Sequence, residues 1–254
     1  MAEVVLETVE LQKSFGGIVA TRRVDLQVHE HGVHAVIGPN GAGKTTLLSQ
    51  LSGSLRPDSG EIRFCGRRIT RLPEHRRSLL GIARSFQITS IFPDMTVLEN
   101  VALAVQAHAG HSFRFWAPAA RQRSLVEPAL RALEQVGLEQ RAGAQAGAMS
   151  HGEHRQLEIA MALATGPRLL LLDEPMAGMG PDESRRMVEI LHGLKGSHTM
   201  LLIEHDMDAV FALADRITVL VYGQVIASGT PEEIRADPEV RKAYLGDDGE
   251  GGHA

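Results

Sequence analysis

Short apolar runs alternate with longer amphipathic stretches over much of the chain. Four runs are bounded by turn residues or charges and predict buried strands: 34–38, 168–173, 199–204 and 217–221. Apolar residues between the later runs recur at spacings of three and four, as in Met187, Ile190, Leu191 and Leu194, which predicts helices. Alternation of buried strands with helices is typical of an α/β fold with a mainly parallel sheet.

The middle of the chain follows a different pattern. From about Thr96 to Thr165 the apolar spacing is helical and no run is typical of a strand. Thr96 with Glu99 forms a capping box that predicts a helix start. We therefore expect a helical subdomain at 88–163, inserted into an α/β core formed by 1–87 and 164–235. The remaining residues, 236–254, form a C-terminal tail whose Gly-rich acidic end predicts disorder.

Composition limits the classes of function. The 254 residues carry a net charge of −5, which argues against nucleic acid as the main partner because phosphate backbones require a basic surface. The single cysteine, Cys65, excludes an intrachain disulfide, suits a reducing compartment and is expected to be a small buried residue. The first ten residues lack a signal-peptide pattern, and apolar runs such as 169–172 are too short to span a bilayer, so we expect a soluble chain.

The segment GPNGAGKTT matches the phosphate-binding loop pattern. A predicted strand precedes it and a helical pattern follows, which is the context that this chemistry needs. Glycines allow successive backbone N–H groups to face an anion, the helix N-terminus adds positive charge, Lys44 reaches the β- and γ-phosphates, and the Thr45 hydroxyl binds Mg²⁺. The predicted nucleotide-binding residues here are Gly38, Pro39, Asn40, Gly41, Ala42, Gly43, Lys44, Thr45 and Thr46.

Acidic residues and a histidine follow two of the predicted strands. The run LLLLDEP places Asp173 at a strand end, where a carboxylate can bind Mg²⁺, and Glu174 beside it can polarise an attacking water. His205, in IEHD, also follows a strand, and it either contacts the γ-phosphate or only caps a helix. Further upstream, Ser150 and Glu153 form an S-x-x-E capping box that predicts the start of a helix.

Five motifs, taken in their order along the chain, resemble those of the ATP-binding subunits of ABC transporters, and the resemblance extends over nearly the whole chain. They are GPNGAGKT, Gln87 in RSFQ, MSHGE at 149–153, LLLLDEP and His205 in IEHD. The resemblance implies a P-loop NTPase with a RecA-like core, a mainly parallel sheet, an added antiparallel β part and an inserted helical subdomain. It also implies ATP and Mg²⁺ as cofactors and a head-to-tail pair of ATPase chains.

The same resemblance assigns roles to further residues. It implies that Gln87 contacts Mg²⁺ and the attacking water, and that Phe15 stacks on adenine, although a Phe at a strand end can equally be a core residue. Ser150, His151, Gly152 and Glu153 would bind the γ-phosphate of the nucleotide held by the second chain. His151 and Glu153 depart from the commoner SGGQ form, and MAGMG at 176–180 lacks the common Ser-x-Leu-Asp, so its contacts across the dimer stay open.

The subfamily and the partners are a finer prediction. The segments 83–101, 150–160, 203–217 and 241–246 resemble importers of branched-chain amino acids most. Importers of urea, short amides or aromatic acids share much of this pattern. Such an importer implies transmembrane permease subunits, a second ATPase chain that is identical or related, and indirectly a substrate-binding protein, with this chain at the cytoplasmic face of the inner membrane.

Three other classes compete with this prediction. An export-system ATPase shares the nucleotide chemistry, and ATPases of the same class in DNA repair or translation usually carry two ATPase halves or long coiled coils. A P-loop kinase would need no signature helix.

The aromatic segment 113–116 either faces a membrane subunit or covers the core of the insert.

Overall fold

The computed structural model describes residues 3–85, 91–108 and 123–245. Three sequence predictions lie outside the described residues: the roles of Gln87, the aromatic segment 113–116 and the acidic tail from 246 onward. The chain divides into two compact units. One comprises Met1–Arg77 and Gly196–Ala254, and the other comprises Ser78–Lys195.

The elements follow one another in an order that alternates strands and helices over much of the chain. They are β1 (Val4–Phe15), β2 (Ile18–His29), β3 (Val33–Ile37), α1 (Lys44–Ser52), β4 (Ser59–Phe64), β5 (Arg67–Arg68), α2 (Glu74–Leu79), β6 (Ile82–Arg84), α3 (Val97–His108), α4 (Arg123–Gln135), α5 (His151–Leu163), β7 (Leu169–Asp173), α6 (Pro181–Leu194), β8 (Thr199–Ile203), α7 (Met207–Leu213), β9 (Arg216–Val221), β10 (Gln224–Gly229), α8 (Pro231–Ala236) and α9 (Pro238–Leu245).

The first unit is built around parallel strands. β3 pairs in parallel with β8 on one side and with β9 on the other, and β10 adds an antiparallel edge to β9. Every residue of β3 and β8 is buried, which explains their continuous apolar sequence. Helices α7, α8 and α9 cover one face of these strands through residues such as Val210, Ile234 and Val240.

An antiparallel sheet completes the first unit, in the order β2-β1-β4-β5. Its long strands, β1 and β2, pair over most of their length with several register irregularities, and the buried positions of β2 alternate with exposed ones. Cys65 follows β4 in a turn and is partly exposed, so it is less buried than the sequence predicts.

The second unit combines a parallel strand pair with helices. β6 and β7 pair from Ile82 with Leu169 to Arg84 with Leu171. Between these strands, the described residues form α3, α4, α5 and short 3-10 turns, with no named strand among them. The predicted capping box is present, because Thr96 N–H donates to Glu99 and Glu99 N–H donates back to the Thr96 hydroxyl. Mixed parallel and antiparallel sheets with these helices confirm the predicted fold class. The exact bounds of the predicted insert stay a prediction.

Candidate functional site

The turn between β3 and α1 carries the GPNGAGKT sequence. Two of its glycines are held against other backbone segments of the first unit. A Cβ at Gly38 would lie 2.0 Å from the carbonyl oxygen of Leu220, and a Cβ at Gly43, whose φ is 101°, would lie 2.0 Å from that of Ala20. Both positions therefore require glycine for space.

Lys44 begins α1 and is almost wholly buried, with an exposed fraction of 7%. Its Nζ donates to the carbonyl oxygens of Gly38 and Pro39 at 2.6 and 3.1 Å, so the ammonium is held at its own turn. No side chain caps α1 at Gly43, and the positive end of the helix dipole adds to the lysine charge. This combination favours a bound anion such as a phosphate group.

The other residues of the turn differ in exposure along its length. Asn40 and Gly41 at the tip are exposed, as is Thr45 in the first turn of α1, whereas Ala42 is buried and Thr46 half-buried. The Thr45 hydroxyl is therefore open to a ligand. The turn is also supported from β9–β10, because Gly223 N–H donates to the carbonyl oxygen of Ala42 at 2.9 Å.

Phe15 lies at the end of β1 in the same unit, and its exposed fraction is 50%. The ring is therefore not a core residue, which removes the competing sequence interpretation. Lys13 Nζ lies 5.5 Å from its centroid. A half-exposed ring face suits stacking against a planar ligand.

In the second unit, β7 ends at Asp173, whose side chain has an exposed fraction of 0%. Its Oδ2 accepts a hydrogen bond from Arg84 Nη2 at 2.9 Å, while its Oδ1 has no hydrogen-bond partner among the described residues. Burial raises the pKa of the Asp173 carboxyl, and the hydrogen bond from Arg84 opposes that shift. A buried carboxylate oxygen without a partner fits a hard cation such as Mg²⁺.

Glu174 follows Asp173 in a strained backbone conformation. Its φ is 47°, in the left-handed region that a non-glycine residue rarely occupies, and its carbonyl oxygen accepts from Ala177 N–H at 3.0 Å. Such a conformation costs about 1–3 kcal/mol, and strained residues of this kind cluster at active sites. The direction of the half-buried Glu174 side chain is therefore set by this turn and not by the regular geometry of a strand.

The helix α5 begins with the predicted S-x-x-E box. Ser150 N–H donates to Glu153 Oε2 at 2.9 Å, Glu153 N–H donates to Ser150 Oγ at 3.2 Å, and Arg141 Nε pairs with Glu153 Oε1 at 3.1 Å. The capping box is confirmed. Glu153 therefore has structural partners within its own chain.

The start of α5 also contacts the start of α6. Ser150 Oγ lies 3.5 Å from Glu183 Oε1, and a Cβ at Gly152 would lie 2.7 Å from that same oxygen. The sequence interpretation gave close approach of a phosphate as the reason for glycine here. The structure adds a second reason, which is the space that Glu183 occupies.

The two histidines of α5 contact carbonyl oxygens of the second unit. His151 Nε2 lies 3.2 Å from the carbonyl oxygen of Ala177, in the MAGMG segment, and His154 Nε2 lies 2.8 Å from that of Ala146. These contacts account for both rings without a metal ion. The contact of His151 with its own chain was not anticipated from the sequence.

His205 comes two residues after β8, in the first unit, and its side chain has an exposed fraction of 62%. The predicted site residues thus fall into two sets. The turn 38–46, Phe15 and His205 belong to the first unit, whereas Asp173, Glu174 and 150–153 belong to the second. Gln87 lies outside the described residues.

The sequence interpretation missed several charged residues that support these positions. Arg84 on Asp173 is one, and Glu204, which is completely buried beside His205, is another. On α5, Arg155 Nη1 pairs with the buried Glu158 at 3.0 Å. In the sequence, each of these residues stands next to or within an apolar run. That position indicates a buried side chain but does not identify the residue that the charge contacts.

Comparison with known proteins decides the family. A family model described as "ABC transporter" matches residues 21–177, which is more than half of the chain. The chain belongs to the ABC transporter family. A second model, described as "Branched-chain amino acid ATP-binding cassette transporter", matches residues 224–250. Membership makes the chain an ATP-binding, ATP-hydrolysing subunit, and it implies permease partners and pairing of two ATPase chains.

Individual relatives agree with this assignment. The "high-affinity branched-chain amino acid transport ATP-binding protein BraF" of Pseudomonas aeruginosa is 42% identical, over 97% of this chain and 100% of its own. LivG of Escherichia coli K12, with the same description, is 39% identical over the same shares.

Solved structures of ABC cassettes share the fold. A nucleotide-free ATP-binding cassette from an ABC transporter has a TM-score of 0.84 and 33% identity, covering 95% of this chain and 99% of the other. The ADP conformation of another such cassette has a TM-score of 0.85 and 31% identity, covering 96% and 99%. Among the described residues of the present ABC subunit, no helix is long and apolar enough to cross a membrane.

Proposed function

We propose that this ABC subunit hydrolyses ATP to drive import of branched-chain amino acids. The observation that supports the substrate class is the full-length similarity to BraF and LivG, joined by the match of the C-terminal region to the branched-chain model. On this proposal the chain acts at the cytoplasmic face of the inner membrane. Its partners are transmembrane permeases, a second identical or related ATPase chain and, indirectly, a substrate-binding protein.

ATP binding begins with the turn 38–46. Phe15 stacks on the adenine, and the backbone N–H groups of the turn and of the start of α1 surround the phosphates. Lys44 exchanges its hydrogen bonds to the carbonyl oxygens of Gly38 and Pro39 for bonds to the β- and γ-phosphates. The gain is large because the ammonium is already desolvated where it lies.

Asp173, Thr45 and Gln87 would hold Mg²⁺ with the nucleotide. The free Oδ1 of Asp173 and the exposed hydroxyl of Thr45 are oxygen ligands of the kind that Mg²⁺ prefers. The ion supplies charge neutralisation on the β- and γ-phosphates. Arg84 keeps Asp173 oriented through its other carboxylate oxygen.

Hydrolysis is assigned to Glu174, His205 and Gln87. The Glu174 carboxylate orients the attacking water and accepts its proton, and His205 contacts the γ-phosphate from the first unit. The start of α5, Ser150 to Glu153, binds the γ-phosphate held by the second ATPase chain. The dipole of α5 provides the positive potential that the segment lacks in side chains.

Purification of the assembled complex tests this function. The chain is tagged, membranes are solubilised gently, and the co-purifying proteins and the ligand of any binding protein are identified. We expect two permeases, a binding protein that carries leucine, isoleucine or valine, and ATPase activity that rises with that loaded protein. Lys44→Ala is the matched control, and it should assemble normally but lose turnover.

Other outcomes would replace the proposal. A binding protein loaded with urea, an amide or an aromatic acid would change the substrate class. Assembly without any binding protein would favour an exporter. Turnover of a soluble phosphate acceptor without a membrane partner would favour a kinase.

A further inference from the structure

Glu204 has an exposed fraction of 0% although it carries an acidic side chain. It follows the last residue of β8, in the turn that leads to α7. Its Oε2 accepts hydrogen bonds from the backbone N–H groups of His205 at 3.0 Å and Asp206 at 3.4 Å. These bonds fix the backbone of the residue that carries the imidazole.

The same carboxylate oxygen also lies beside the histidine ring. Glu204 Oε2 is 3.7 Å from Nδ1 of His205, while the ring as a whole is largely exposed. A carboxylate at that nitrogen favours the form with the proton on Nδ1, so Nε2 is left to face another group. Catalytic hydrogen bonds are often long without substrate and shorten when it binds.

A carboxylate is a costly choice of acceptor for these two backbone N–H groups. Two backbone N–H groups in a turn can be satisfied by Ser, Thr or Asn, whose burial costs much less than that of a carboxylate. A buried carboxylate is retained at a cost unless it acts on a group that carries or develops positive charge. His205 is such a group, since an imidazole that contacts a phosphate becomes more cationic.

Asp206 provides the contrast on the other side of His205. Its Oδ1 accepts from the N–H groups of Asp208 and Ala209, so it caps α7, and it is exposed. These hydrogen bonds direct the Asp206 carboxylate towards the start of the helix. Two carboxylates thus flank His205 in sequence, and one of them faces its ring.

We propose that Glu204 is a positioning residue for His205: its carboxylate fixes the imidazole with Nδ1–H directed at Oε2, so that Nε2 faces the nucleotide and donates to a phosphate oxygen when it is also protonated. The inference rests on the proposed function for the role of His205 in hydrolysis. The pairing itself does not depend on that role and can be measured without turnover.

The first test is the protonation pattern of the imidazole. The full-length chain is labelled with ¹⁵N-histidine, and the His205 signals are assigned by their loss in His205→Ala at about pH 8. We expect a proton on Nδ1 in the unsubstituted chain, a shift towards the Nε2-protonated form in Glu204→Gln, and no change in Asp206→Asn. The Nε2-protonated form in the unsubstituted chain, or an unchanged pattern in Glu204→Gln, would overturn the proposal.

The second test separates positioning from folding in the assembled transporter. Glu204→Gln should lower kcat about 10–100-fold with KM for ATP changed less than about 2-fold, and it should cause no further loss in the His205→Ala background. Asp206→Asn, the same chemical change one position past the histidine, should keep kcat within about 2-fold. Equal losses in both backgrounds would overturn the proposal.

A third variant, together with the turnover of His205→Ala, distinguishes failure of the Glu204–His205 pairing from failure of the proposed role of His205 in hydrolysis. Glu204→Thr keeps an acceptor for the turn but has no carboxylate, so it should lose kcat as Glu204→Gln does while melting at a similar temperature. Wild-type kcat with this variant would overturn the proposal. If His205→Ala itself keeps full turnover, the hydrolytic role of His205 fails, and the ¹⁵N pattern still decides the Glu204–His205 pairing.

Discussion

His34 is the second residue of the buried strand β3, whose other residues are all apolar. Its Nε2 lies 2.8 Å from the Thr218 hydroxyl on β9, and that hydroxyl lies 2.9 Å from the Ser228 hydroxyl on β10. Burial and, to a smaller extent, the nearby charges of Arg216 and His29 lower the pKa of His34 to about 4. The folded chain therefore holds this imidazole neutral.

Stability should fall with acidification because of this residue. The unfolded state binds the His34 proton below its ordinary pKa of 6.5, whereas the folded state binds it only near 4, so folding stability is complete above pH 6.5 and is lost between pH 6.5 and 4. The loss amounts to about 3 kcal/mol.

Urea unfolding at several pH values measures this loss. His34→Gln, which can still hydrogen bond to Thr218, should show a flatter dependence on pH, and the exposed His192→Gln serves as the control and should follow the unsubstituted chain. Equal slopes for all three chains would contradict the assignment.

At the residue scale, the sequence predicts chemistry better than pairing. Lys44, Asp173 and Glu174 were proposed as site residues because short sequence motifs carry them. Arg84 was not, since it meets Asp173 from a position 89 residues earlier, and no local pattern encodes that distance. The left-handed φ of Glu174 was equally hidden, because nothing in the residue type requires it.

Helix α1 shows how an element is anchored at the end away from its phosphate-binding turn. Arg77, with an exposed fraction of 1%, donates from Nη1 to the carbonyl oxygens of Gln50 and Leu51 at 2.7 and 2.8 Å. Both carbonyls belong to the last turn of α1, where the helix dipole is negative. Burial lowers the pKa of Arg77 to about 10, which still leaves it charged at neutral pH.

Removal of this arginine should destabilise the fold strongly. Arg77→Met leaves the carbonyl oxygens of α1 and those of Thr70 and Leu72 without this donor in a buried place, and we expect a loss of about 3–5 kcal/mol in urea unfolding. Arg77→Lys should retain part of the stability because one ammonium replaces the fork of donors incompletely.

Arg76, the preceding residue on α2, is exposed and gives the matched control. Arg76→Met should change stability by less than about 0.5 kcal/mol. A similar loss from both substitutions would refute the role of Arg77 as the anchor of α1.

At the element scale, the sequence located the buried strands well. The predicted runs 168–173, 199–204 and 217–221 differ from β7, β8 and β9 by one residue at one end, and the run 34–38 differs from β3 by one residue at each end. Agreement is this close because continuous apolar segments between turns have few alternatives. The long strands β1 and β2 were not delimited. Their polar and apolar positions are interrupted by register irregularities, which break the two-residue period.

At the scale of the whole molecule, the site residues of one chain do not describe a complete site. The ABC family pairs two ATPase chains, and the proposal places Ser150 and Gly152 of each chain on the nucleotide of the other. Ser150 already lies near Glu183 of its own chain, so a bound phosphate must be favourable enough to share or displace that carboxylate. The two ATPase chains should therefore close on each other when ATP, with its γ-phosphate, is bound, and they should not close when ADP is bound.

Slowing hydrolysis should make that dependence visible. Glu174→Gln keeps the shape of the side chain but removes the carboxylate that is assigned to the water, so ATP binds and the closed pair persists. If the pair consists of identical chains, light scattering with ATP and Mg²⁺ should give twice the 27.5 kDa mass of one chain, and with ADP it should give the single mass. Glu174→Gln combined with Lys44→Ala should remain monomeric, because the ammonium that meets the phosphates is gone. A dimer that forms equally with ADP, or in the combined variant, would show that pairing is driven by protein contacts alone; the γ-phosphate would then have no part in closing the two chains.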